Sequence, residues 1–220
     1  MSYSNQKIEK TGFYYKNVRS EIVSLLPENI KRTLEIGCGE GNTLVFLKQS
    51  RGCLWAAGVE VSPQAADIAR GKVDLMLEGN FEAMELPINK GSLDLVLCLD
   101  VLEHLIDPWT AVRRLHQLLV RGGVMIASIP NVRSFRVLAP LLFRGEWQYA
   151  QGGILDKTHL RFFTRQSAIE LLESSGLNVD LVDATGLEKG RKTTIANALT
   201  FSIFKPFFEH QYLIRARRVD

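Results

Sequence analysis

Along the 220-residue chain, apolar positions fall into two rhythms, and the switches between them outline an architecture. Short apolar runs read as strands: RTLEI ending at Ile36, LWAAGVEV (54–61), DLMLEG (74–79), LDLVLCL (93–99) and VMIASIP (124–130). LNVDLVDA (177–184) and QYLIRARR (211–218) predict a sixth and a seventh. Between them apolar residues recur at helical spacing. Val18, Ile22, Val23 and Leu26 mark a helix over 14–26 that Pro27 stops. Ser62-Pro63 and Asp107-Pro108 each open a helix, because the polar side chain satisfies free backbone N–H groups and proline suits the first turn. Val112, Leu115, Leu118 and Leu119 form the buried stripe of the second, which Gly122-Gly123 ends. Thr164 caps a further helix with Ala168, Leu171 and Leu172 facing inward and Gly176 closing it.

Strand-helix alternation of this kind predicts an α/β fold: a doubly wound, Rossmann-like sheet of seven strands, mostly parallel, with an antiparallel last strand. The run at 93–99 is apolar enough to lie centrally. Ligands of such sheets sit outside the carboxyl ends of the strands, so residues just after strands one to five carry the most weight. One domain spans residues 1–220, with a helical cover over 1–30 and insertions at 131–166 and 186–209.

EIGCGEGN places glycines at 37, 39 and 41 directly after strand one. Glycine permits positive φ there and lets a ligand approach the backbone. Glu60 ends strand two, near the offset of about 20 residues at which an acid takes ribose hydroxyls. The spacing is GxGxG rather than the GxGxxG that seats a pyrophosphate. Glu35 and Glu40 bracket the loop with negative charge, which repels pyrophosphate and suits a ligand bearing an ammonium and a sulfonium. Electrostatics therefore favour S-adenosylmethionine over NAD.

LEIGCGEGN, GVEVS, GNFEAMELP, LDLVLCLDVLEHLIDP and GGVMIASIPN occur in the order found in class I S-adenosylmethionine-dependent methyltransferases, and the chain resembles that family from about residue 14 onward. The resemblance implies that Glu35 and the loop Gly37, Gly39 and Gly41 face the methionine part of the cofactor, while Glu60 holds both ribose hydroxyls. Where the family usually has an aspartate after strand three, this chain has Asn80, whose amide oxygen can accept from the adenine amino group. Val61 and Phe81 are placed to sandwich adenine, with Phe81 equally a core residue. Leu99 and Asp100 line the cofactor's methionine end. His104, in VLEHL, reads as structural or cofactor-orienting. Arg19 pairs with the cofactor carboxylate or is a surface charge, and Tyr14 and Tyr15 accompany it in the covering segment.

The acceptor side lies in the insertion between strand five and the helix near Arg165, far longer than the usual ~2–6 residues. Leu138, Leu141, Leu142 and Phe143 predict a short helix, Trp147 and Tyr149 pocket walls, and Gly152-Gly153 a hinge. GILDKTHLRFFT (153–164) resembles the ILDRTHLRFFT segment of a broad bacterial methyltransferase subgroup, some of it glycan-related. It is more distantly similar to the threonine-histidine pair of ubiquinone-pathway O-methyltransferases. His159 is the first candidate for a general base, with Asp156 orienting it or acting directly; the alternative is that both fasten the lid by hydrogen bonds. Arg161 meets an acidic acceptor or a carboxylate of the chain itself.

Composition narrows the partners. Hydrophobic residues are 46% and charged residues 23%, and the net charge of +3 is too small to argue for nucleic acid. Three cysteines, Cys38, Cys53 and Cys98, lack metal-ligand spacing, so no metal is expected; Cys38 and Cys98, in apolar strand-like runs, read as buried thiols of a reducing compartment. MSYSNQKIEK lacks the apolar stretch of a signal, so the expected location is cytoplasmic. Ile195, Leu199, Phe201, Phe204, Phe207 and Phe208 suggest core cover or a homodimer surface. A sharper reading is an entrance for a lipid-linked acceptor, with Lys189, Arg191 and Lys192 at anionic headgroups in a peripheral membrane contact. The expected activity is methyl transfer to a small-molecule, lipid-linked or glycan-linked acceptor at oxygen. The alternative is an inactive S-adenosylmethionine-binding sensor or partner subunit.

Overall fold

The computed structural model describes residues 18–186 and 204–220. Its centre is a seven-stranded sheet in the order β3-β2-β1-β4-β5-β7-β6. The strands are β1 (Arg32–Ile36), β2 (Trp55–Glu60), β3 (Leu75–Glu78), β4 (Leu93–Leu99), β5 (Leu119–Pro130), β6 (Leu177–Thr185) and β7 (Gln211–Arg218). β1 to β5 pair in parallel, and β7 runs antiparallel between β5 and β6. The chain reverses its direction of winding between β1 and β4, which opens a crevice at their carboxyl ends.

Alternating side chains of β4 reach both faces, as expected of a strand covered twice. Leu95, Leu97 and Leu99 pack with Leu44 and Leu47 of α1 (Asn42–Arg51) and Ala69 of α2 (Pro63–Arg70). Leu93, Val96 and Cys98 join the other core, with Val112 and Leu115 of α3 (Pro108–Leu118) and Leu171 and Leu172 of α5 (Arg165–Glu173). α4 (Phe135–Arg144) lies between β5 and α5 in sequence and buries Val137 while leaving Leu142 and Phe143 exposed. All three cysteines are buried thiols.

The expected caps are present. Ser62 accepts from the Ala65 N–H, Asp107 from Thr110, and Thr164 forms a reciprocal capping box with Ser167. Two boundaries differ from the pattern reading. Leu119 belongs to β5, opposite Leu93, rather than to the stripe of α3. Gly122-Gly123 form an irregularity inside that strand instead of a helix end; a Cβ on Gly123 would meet the Val120 and Leu93 carbonyl oxygens at 2.8 and 3.0 Å. Leu118-Leu119 is apolar on either assignment, so helical and strand rhythms coincide there and β pairing decides. Before β1, residues Ser20–Leu25 form a 3₁₀ turn. Tyr14, Tyr15, Lys189, Arg191, Lys192 and the stretch Ile195 to Phe201 lie outside the described residues.

Candidate active site

Every glycine of the loop after β1 has a left-handed backbone: φ is 69° at Gly37, 54° at Gly39 and 77° at Gly41. Gly37 also needs its missing side chain for space, since a Cβ would stand 2.6 Å from Val101 Cγ2. Glu60, buried at the end of β2, fastens this loop. Its Oε2 accepts from the Gly39 N–H at 2.9 Å and its Oε1 from the Ser62 N–H at 2.8 Å. Each oxygen retains a lone pair for a ligand hydroxyl.

The loop borders a cavity of about 460 Å³ lined by Gly37, Glu60, Val61, Asn80, Phe81, Leu99 and Asp100. Val61 is 68% exposed and Phe81 4%, so the two walls differ: one an open flap, the other a core residue with Arg114 stacked on its ring at 4.8 Å. The Asn80 side-chain oxygen accepts from the Glu82 N–H at 2.9 Å and so caps the turn Phe81–Ala83.

Glu35, the penultimate residue of β1, is 3% exposed, lines neither that cavity nor the larger one beside it, and its Oε2 has no hydrogen-bond partner among the described residues. Burial pushes its carboxyl up to about 8; nearby Arg19 opposes the rise and Glu60 adds to it. An orphaned buried carboxylate oxygen, a glycine cradle and a ribose-competent acid together fit a nucleoside ligand carrying positive charge. Glu40, 9% exposed, has its backbone carbonyl held by Lys72 Nζ at 2.8 Å.

Asp100 and His104 also line a second, larger cavity of about 920 Å³ on the insertion side. Its wall includes Glu103, Asp156, His159, Arg136, Gln148, Gln151, His210 and Gln211. The insertion is stitched to the turn Leu102–His104: the Leu160 and Arg161 N–H groups donate to the Glu103 carbonyl at 2.8 and 3.0 Å. His104 Nδ1 meets the Thr158 carbonyl at 3.1 Å, and Gly153 supplies a left-handed bend at φ 81°.

The insertion's polar residues take separate roles. Asp156 Oδ1 accepts from the Thr158 N–H at 2.8 Å and hydroxyl at 2.7 Å, an Asx turn that shapes the loop. His159 Nδ1 lies 3.0 Å from the Ile154 carbonyl, and its Nε2 lies 4.0 Å from Glu103 Oε1. An acid facing the imidazole thus comes from the turn after β4, which spacing within the insertion did not reveal. Arg161 donates to the Ile106 carbonyl and lies over Trp109 at 5.9 Å. Trp147 packs on Phe162 with ring centroids 5.3 Å apart, Tyr149 is exposed, and the cavity is walled by Gln148 and Ala150 between and after them.

A glycine cradle fastened by a buried acid at the switch point of a doubly wound sheet has the build of a Rossmann-like nucleotide-cofactor enzyme, with a second cavity beside the first. A family model described as a methyltransferase domain matches residues 12–182, and the chain belongs to that family. S-adenosylmethionine is accordingly its cofactor, and it is a methyltransferase. Among curated relatives, a ubiquinone biosynthesis O-methyltransferase of Aromatoleum aromaticum is 30% identical over 168 residues, covering 67% of this chain and 68% of that one. Another from Coxiella burnetii is 27% identical over 164 residues, 71% of this chain and 67% of its own length. An S-adenosylmethionine-dependent methyltransferase from Archaeoglobus fulgidus superposes with a TM-score of 0.65 at 19% identity, covering 87% of each chain. One from Mesorhizobium loti gives 0.63 at 18% identity over 90% of this chain and 96% of that one. No helix among the described residues is long and apolar enough to cross a membrane.

Proposed function

We propose that the chain methylates an oxygen of a polar small-molecule, lipid-linked or glycan-linked acceptor held in the 920 Å³ cavity. The observation that carries this reading is that the two cavities share Asp100 and His104, so a donor in one and an acceptor in the other meet at the end of β4. Arg136, Gln148, Gln151 and Gln211 give the acceptor side a hydrogen-bonding wall, and among the described residues its only rings besides Pro130 are the imidazoles of His104, His159 and His210. That lining favours a hydroxylated acceptor over a flat aromatic one. The relatives that carry the name ubiquinone biosynthesis O-methyltransferase add support for oxygen.

S-adenosylmethionine, when bound, supplies a methyl group whose C–S bond breaks with its electron pair going to sulfur as an O–C bond forms and the acceptor hydroxyl gives up its proton. The chain's residues hold and orient the partners. Glu60, Asn80 and Phe81 seat the nucleoside, Glu35 and the Gly37–Gly41 loop face the methionine part, and Arg19 steadies Asp100 at the junction. His159, backed by Glu103, serves the departing hydroxyl proton, and Asp156 shapes the loop that presents it.

Calorimetry with S-adenosylhomocysteine and a turnover assay on hydroxylated acceptors test the reading. Binding with turnover that falls on His159→Ala while cofactor affinity holds is the expected result. Absence of S-adenosylhomocysteine binding overturns it, and unchanged turnover in the variant removes His159 from the chemistry.

A further inference from the structure

We propose that Arg136 holds an anionic group of the acceptor, a carboxylate or a phosphate, so that the larger cavity selects hydroxylated anions over neutral or cationic molecules. Arg136 stands in the first turn of α4 and lines the 920 Å³ cavity. Among the described residues it is the sole lysine or arginine in that wall.

Its charge is open because its neighbours' charges are used elsewhere. Arg133, just before α4, lies over the Phe207 ring at 4.9 Å, and Arg144 at the helix end pairs with Glu146 at 3.1 Å. Arg136 makes no hydrogen bond, ion pair or ring contact among the described residues. A guanidinium carries five N–H donors in a planar fork and accepts nothing, so in a cavity wall it asks for acceptor oxygens. A surface arginine satisfied by water also meets that description, so the other charges of the wall decide.

Those other charges are acids, and the chain itself engages each of them. Asp100 receives Arg19 at 2.7 Å and the Ser128 hydroxyl at 3.0 Å, and Gln211 donates to it as well. Buried Asp156 accepts from the Thr158 N–H and hydroxyl. Buried Glu103 has Oε1 4.0 Å from His159 Nε2. A cationic acceptor would have to compete with these bonds, whereas an anionic one meets Arg136 without breaking any. Gln148 and Gln151 add amides that both donate and accept, which suits hydroxyl groups.

Arg136 does not line the 460 Å³ cavity, so its charge acts on the acceptor rather than on the cofactor. An arginine fork grips a carboxylate or phosphate through two parallel N–H···O bonds, which fixes direction as well as charge. Anchored there, a sugar acid or a sugar phosphate has its orientation set, and with it the hydroxyl that reaches the end of β4. Arg136 is in this sense a positioning residue. The inference rests on the methyltransferase reading and deepens it by naming the acceptor's charge.

The test uses the full chain, alone and with S-adenosylhomocysteine, titrated with glucose, glucuronate and glucose 1-phosphate and followed by NMR. The three probes share a hydroxylated ring and differ in the anionic group. One or both anions are expected to bind about tenfold or more tighter than glucose at low salt. The advantage should shrink as salt rises. Arg136→Gln should bring the anions to the level of glucose, and Arg136→Lys, which keeps the charge without the fork, should retain part of the advantage. Glucuronate ahead assigns the site to carboxylates, and glucose 1-phosphate ahead assigns it to phosphates. Equal affinity for the three probes, binding of none, or an anion advantage that survives in Arg136→Gln overturns the proposal. S-adenosylhomocysteine affinity in both variants reports an intact fold, since Arg136 lies outside the cofactor cavity. Anion selectivity that follows Arg136 in a chain that binds no S-adenosylhomocysteine would instead count against the proposed function and leave the anion site standing.

Discussion

Arg19 donates from Nη1 to Asp100 Oδ2 at 2.7 Å, joining the segment ahead of β1 to the carboxyl end of β4. Asp100 is the sole non-glycine residue with positive φ among the described residues, at 58°. Ser128 Oγ donates to its Oδ1 at 3.0 Å, Gln211 Nε2 donates to the same oxygen, and its own N–H donates to the Ser128 carbonyl. These bonds hold a backbone conformation that costs an L-residue roughly 1–2 kcal/mol, at the one place both cavities share.

Asp100→Asn and Asp100→Ala separate charge from backbone strain. Asparagine tolerates the left-handed region and keeps one acceptor, so Asp100→Asn is expected to lower stability by about 1–2 kcal/mol through the weakened charge-assisted bond. Asp100→Ala adds strain and empties the network, for a loss about 1 kcal/mol larger. Denaturant unfolding measures both. Equal stability of the two variants would show that the backbone at Asp100 is not held by its side chain.

Gly37→Ala tests the cradle. Its φ of 69° and the 2.6 Å approach to Val101 Cγ2 act together, and the β-branched valine has little rotamer freedom to yield. A stability loss of about 2 kcal/mol and abolished S-adenosylhomocysteine binding are expected. The double variant Gly37→Ala, Val101→Ala should recover part of the stability, since it removes the clash and keeps the strain. A single variant that binds normally would mean the loop is not the cofactor's seat.

Glu35 predicts a pH dependence with a definite sign. Burial raises its carboxyl from the ordinary carboxylate value of about 4.5 to about 8. Between those values the folded chain keeps a proton that the unfolded chain has lost. Its contribution to stability is therefore greatest below about pH 4.5 and is lost as pH rises toward 8. A cationic ligand beside Glu35 binds the ionised form best. Affinity for S-adenosylmethionine should rise up to about tenfold per pH unit below 8 and level off above it, with proton release visible in buffers of different ionisation heat. Glu35→Gln should flatten the profile. A flat profile in the unaltered chain would place the cofactor's positive groups elsewhere.

How far the sequence carried depended on the range of the interaction. The GxGxG loop, the proline-and-cap helix starts and Glu60 are local signals, and the structure has each in its expected element. The lid's length announced an insertion. What its spacing did not reveal was the division of labour inside it. Asp156, three residues before His159, accepts bonds from Thr158, because a short acid next to a polar loop residue closes an Asx turn on its own backbone. Glu103 faces His159 because β4 and the lid fold together, a contact no periodicity encodes. Leu119 and Gly123 show the same limit, since strand pairing with Leu93 overrode a helical stripe.

Asn80→Asp should improve cofactor binding. The asparagine's single acceptor oxygen commits one of its two lone pairs to the Glu82 N–H at 2.9 Å, where it caps the turn Phe81–Ala83. Asn80 lines the 460 Å³ cavity, and its amide nitrogen carries only donors, a poor match to an adenine amino group. A carboxylate keeps the cap with one oxygen and offers the other as an acceptor. A charged acceptor at that point is worth about 1 kcal/mol, or roughly fivefold in affinity for S-adenosylhomocysteine. The cap is also strengthened, because a negative side chain suits the N–H groups at the start of a helical turn. Asn80→Ala loses both effects and should cost about 1 kcal/mol of stability as well as affinity. Calorimetry and thermal unfolding on the three chains resolve the order: aspartate tightest, asparagine intermediate, alanine weakest. An aspartate variant that binds more weakly than the unaltered chain would mean that Asn80 donates to the cofactor, and that adenine lies with a ring nitrogen, rather than its amino group, toward β3.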